Sequence, residues 1–68
     1  MTYKREVLDN AQRALDSRDE HMMMESLKEI ALFIPAAESE YRKFQSMPSY
    51  DRKVALRIFF KEFLATAE

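Results

Sequence analysis

The sequence predicts an all-α fold, a small bundle of three to four helices, and three observations carry that prediction. Its 68 residues include no glycine, so tight β-hairpins lack their favoured turn residue. Ala, Leu, Glu, Lys, Arg and Met, all strong helix formers, recur throughout. Met23, Leu27, Ile30, Ile34, Ala37, Tyr41 and Phe44 alternate in steps of four and three, a heptad seam that runs straight through Pro35.

A first helix is expected over residues 3–16, capped by Thr2. Its apolar positions Tyr3, Val7, Leu8, Ala11, Ala14 and Leu15 fall within one arc of about 140°. Ser17 and Glu20 have the Ser-x-x-Glu spacing of a capping box, which would open a second helix over 18–33 after a very short link. On that helix Met23, Met24, Leu27, Ile30, Ala31 and Ile34 share an arc, and Met22 and Phe33 form a smaller stripe on another side.

Pro35 deprives the backbone of its hydrogen bond to the Ala31 carbonyl and pushes Ile34 away from helical dihedrals, which normally ends a helix. Against a clean break, neither Phe33 nor Ile34 can cap a new helix and the heptad continues without interruption. A kinked central helix and a broken one, resuming over 36–45, both remain open at this point. Ser46, Met47, Pro48 and Ser49 make a convincing turn. The last helix is expected over 50–66, with Asp51 in the first turn, where the helix dipole favours an acid. Ala55, Leu56, Phe59, Phe60, Phe63, Leu64 and Ala67 form a broad apolar arc on it. Val54, Ile58 and Ala65 form a separate strip, divided from the first by Arg57 and Lys61 on one side and Glu62 on the other.

The whole chain, residues 1–68, reads as a single helical domain whose core is small. At this length one core seldom yields more than about 3–5 kcal/mol of net stability without a staple. Cysteine is absent and histidine occurs once, which excludes disulfides and cysteine-based zinc sites. Association with a second copy would bury the surplus apolar faces, so the expected assembly is a homodimer. Charge interrupts the first fifteen residues every few positions, so no signal peptide is expected. The longest apolar run, Ile30 to Ala37, is too short to span a bilayer, and a cytoplasmic protein without membrane contact is expected.

Net charge is only −1, but it is unevenly distributed. Glu6 to Glu40 holds nine acids and three bases, whereas Arg42 to Lys61 holds six bases and the single acid Asp51. Arg52, Lys53, Arg57 and Lys61 on the last helix suit either steering of an acidic partner or contact with nucleic-acid phosphates. A sequence pI near 5.8 weighs against the second use. A turn containing proline, with three phenylalanines among the bases, also departs from a DNA-reading helix-turn-helix.

Catalytic chemistry has little to rest on. His21 and Glu25 share a helix face, but two ligands do not make a metal site, and an exposed ion pair accounts for them. Met22, Met23 and Met24 point about 100° apart and do not converge on one ion. No glycine loop for phosphates and no nucleophilic triad is present. The sequence is therefore read as non-enzymatic, with no cofactor and no metal. The leading expectation is a homodimeric protein-binding regulator or adaptor that acts by occupying a surface, and the alternative is a small dimeric DNA- or RNA-binding regulator. Met22, Phe33, Val54 and Ile58 are the expected contacts, with Arg57 and Lys61 steering the partner. Phe59, Phe60 and Phe63 are assigned to the core or the dimer interface.

Overall fold

The computed structural model describes residues 5–66, which form four helices: α1 (Arg5–Ser17), α2 (Glu20–Ile30), α3 (Pro35–Gln45) and α4 (Ser49–Thr66). Helix α2 lies at the centre and touches the other three, while α4 closes over α1, α2 and α3. The radius of gyration, 10.9 Å, equals that of a compact domain of this length, about 11 Å. A single copy therefore closes its own core.

That core is drawn from the faces that periodicity selected. Val7, Ala11 and Ala14 of α1, Met23, Leu27 and Ile30 of α2, Ala37 and Phe44 of α3, and Leu56, Phe60 and Phe63 of α4 are buried together. The small side chains of Ala11 and Ala14 line the face of α1 that enters this core, alongside α2 and α4. Phe59 contacts three other rings, edge-on to Phe44 and Phe60 at centroid distances of 6.2 and 5.8 Å and stacked on Phe63 at 6.2 Å. Such pairs add roughly 0.5–1.5 kcal/mol beyond area burial.

The central seam is broken at Pro35. Helix α2 ends at Ile30, and its last carbonyls are used by tightened turns: Leu32 N–H donates to Glu29, and Phe33 and Ile34 both donate to Ile30. Ile34 is extended (φ −124°, ψ 103°), and Pro35 opens α3. No side chain caps this helix, but proline at the first position has no N–H to satisfy and a φ already suited to helix. The missing cap was thus a weaker objection to a break than the sequence suggested. Every seam residue from Met23 to Phe44 is nonetheless buried or half-buried, so the heptad describes two helices docked on one core.

Both ends of α2 are also corrected. Ser17 does not cap α2; its hydroxyl donates to the Ala14 carbonyl and accepts from Asp19 N–H. Asp19 is the cap, its carboxylate accepting from the N–H groups of His21 and Met22, so α2 begins at Glu20 rather than residue 18. Arg18 between them takes a left-handed conformation (φ 57°), a position glycine would normally fill. Helix α2 also stops at residue 30 rather than 33. The expected roles of Thr2, Tyr3 and Ala67 lie outside the described residues.

Candidate interaction surface

Helix α4 is apolar on two sides, and the bundle covers only one. Leu56 and Phe60 are fully buried and Phe63 nearly so, while Val54 is 42% and Ile58 55% exposed. Ala65 is exposed on the same side. Four residues before Val54, Tyr50 is 76% exposed and extends the strip towards the start of the helix. Its i, i+4 relation to Val54 is visible in the sequence, but its position beside the turn hid it.

Charge borders this strip asymmetrically. Lys53, Arg57 and Lys61 are exposed and follow one another at intervals of four, so they form one row along the helix. Glu62 is exposed on the opposite border. Beyond it lies an open groove between α3 and α4, walled by Ile34, Ala36, Phe59 and Phe63, with Glu40 and Glu62 also lining it. Among the described residues, no ion pair engages Lys53, Arg57, Lys61 or Glu62.

Arg52 differs from the other three bases. Its guanidinium folds back under α4, with Nε donating to the Phe44 carbonyl at 2.8 Å and Nη2 to Met47 at 2.6 Å and Gln45 at 3.2 Å. Nη1 pairs with Glu20, whose other carboxylate oxygen accepts from the Ser49 hydroxyl at 2.7 Å. Arg52 thus covers the terminal carbonyls of α3 and ties the α3–α4 turn to the first turn of α2. The Ser49 hydroxyl and then the Arg52 guanidinium hold the Glu20 carboxyl below its ordinary pKa, and this outweighs the opposing effect of burial.

The remaining candidates separate by exposure. Phe60 and Phe63 belong to the intramolecular core, and Phe59 is half-buried between that core and the groove. Met22 is 39% and Phe33 42% exposed, on or beside α2. Leu32, 80% exposed at the α2–α3 corner, was not singled out because it lies off both apolar arcs of the sequence. His21 and Glu25 form an exposed i, i+4 pair at 3.9 Å. No group of three or more His, Asp or Glu among the described residues is placed to hold a metal ion, and no described helix is long and apolar enough to cross a membrane. No family model, curated protein or solved structure matches the chain.

Proposed function

We propose that this protein is a small cytoplasmic homodimeric regulator or adaptor that acts by occupying the surface of another protein, without catalysis. One observation carries the reading: a compact bundle retains a second apolar face on its longest helix, formed by Val54 and Ile58. Contiguous exposed apolar residues bordered by charge are characteristic of protein contact surfaces. With α4 engaged by a second copy, Met22, Leu32 and Phe33 stay available for a different protein, and methionine and aromatic side chains suit adaptable contacts.

Sedimentation equilibrium of the parent chain and of Ile58→Asp tests the reading. The parent should form a dimer as concentration rises, and the variant should stay monomeric with unchanged helix content. A parent that is monomeric at every concentration overturns it. The competing nucleic-acid reading has less support, because Arg52 is occupied by Glu20 and by carbonyls of the α3–α4 turn, leaving Lys53, Arg57 and Lys61. Salt-dependent binding to labelled DNA or RNA, lost in a triple charge reversal of those three, would favour it instead.

A further inference from the structure

We infer that α4 pairs in parallel with α4 of a second copy, across a two-fold axis running alongside the helices, so that Glu62 of each copy faces Arg57 and Lys61 of the other. This rests on the dimeric reading above and adds to it an orientation and a pair of charged contacts. The strip supplies the seam. Val54, Ile58 and Ala65 are spaced by four and seven residues, so they stay in line over three turns of helix. Ala65 is small enough to let the two backbones approach.

Charge selects the orientation. Basic Arg57 borders one edge of the strip and acidic Glu62 the other, while Lys61, three residues after Ile58 and four before Ala65, stands in the seam next to the Arg57 edge; all three are exposed. When two identical helices pack in parallel, the left edge of one meets the right edge of its twin. Each Glu62 then lies level with Lys61 and five residues beyond Arg57 of the other copy, the spacing of interhelical pairs in parallel coiled coils. In the antiparallel alternative like edges meet, and the Arg57 edge of one copy confronts the Arg57 edge of the other. Glu40, across the groove from Glu62, adds a second acid on the side where the bases would arrive.

The isolated chain carries the complementary deficit. Lys53, Arg57 and Lys61 repel along one row of α4; Lys53 also feels the Glu20 carboxylate, and among the described residues no ion pair engages any of the three. Two copies related in parallel relieve that repulsion twice, once at each edge.

The absence of cysteine makes single-cysteine variants clean reporters. Val54→Cys, Ile58→Cys and Ala65→Cys are each oxidised mildly in the full chain, and Val54→Cys is also mixed with Ala65→Cys. Parallel pairing predicts that each variant links to itself, with no preference for the mixed species. Residues 54 and 65 sit about 16 Å apart along a helix, beyond the roughly 4.4–6.8 Å between α-carbons that a disulfide bridges. Preferential linking of Val54→Cys to Ala65→Cys, or linking of none, overturns the proposal; either result with a dimer still present in sedimentation leaves the dimeric reading standing. A monomer in sedimentation removes both.

Charge reversal is the second arm. Arg57→Glu and Glu62→Arg should each weaken dimerisation roughly five- to tenfold, and Arg57→Glu with Glu62→Arg in one chain should restore much of the loss. Both side chains lie on the surface, so thermal unfolding at low concentration should be unchanged, which separates lost pairing from lost folding. Reversals that leave dimerisation unaffected also overturn the proposal.

Discussion

At the scale of single residues, this chain ends its helices without glycine, and side chains carry out what a glycine cap would do elsewhere. The Ser17 and Ser46 hydroxyls donate to carbonyls three residues back, and Arg52 covers the end of α3. Arg52→Met should therefore destabilise the fold by about 1–3 kcal/mol, read by urea denaturation, even though arginine at this position looks like a surface base. Glu20 gives this contact a pH dependence. Its carboxyl is held below the ordinary range in the folded chain, so its contribution is fully present above the ordinary carboxylate range and is lost as pH falls through that range and then through the lowered pKa of the folded chain. Glu20→Gln should flatten the acid limb of a stability profile. An unchanged acid limb would mean that the Ser49 and Arg52 contacts do not select the ionised form. Ser26 tests the core in the opposite sense. It is 6% exposed and its hydroxyl is buried without a hydrogen-bond partner, so Ser26→Ala should stabilise by about 1 kcal/mol, through relief of desolvation and better helix propensity.

At the scale of elements, Pro35 shows what periodicity resolves. The seam from Met23 to Phe44 was legible because it records which side chains face the core, and they do so on either side of the break. Whether the backbone bends or stops depends on hydrogen bonds that apolar spacing does not encode, here the convergence of Phe33 and Ile34 N–H on the Ile30 carbonyl. Pro35→Ala should cost roughly 0.5–1 kcal/mol, because proline at the start of α3 restrains the unfolded chain in a conformation the fold uses. Strong stabilisation, approaching about 3 kcal/mol, would indicate a helix held bent against its preference. The Ser17–Glu20 spacing misled for a related reason. Asp19 is also a good cap one residue before the helix, and Glu20 is drawn away by Ser49 and Arg52. That pairing joins residues far apart in sequence, so no local pattern announces it.

At the scale of the whole molecule, the two sides of α4 do different work, and one measurement separates them. Leu56 and Phe60 close the core of a single copy, whereas Val54 and Ile58 do not contribute to it. The strip was readable from spacing because both arcs lie on one helix. Its extent was not, since Tyr50, inside the expected helix but next to the turn, extends it only once the structure shows that ring exposed four residues before Val54. Loss of a buried ring should cost about 3–5 kcal/mol, so Phe60→Ala should lower the thermal midpoint at every protein concentration. A second copy that binds only the folded chain stabilises it by mass action, so the parent's midpoint should climb with concentration. Ile58→Asp should match the parent in dilute solution, because a half-exposed position contributes little to the monomer, and should lose the climb. A midpoint for Ile58→Asp that is depressed equally at all concentrations would place Ile58 in the fold of the single chain and leave α4 with only one working face.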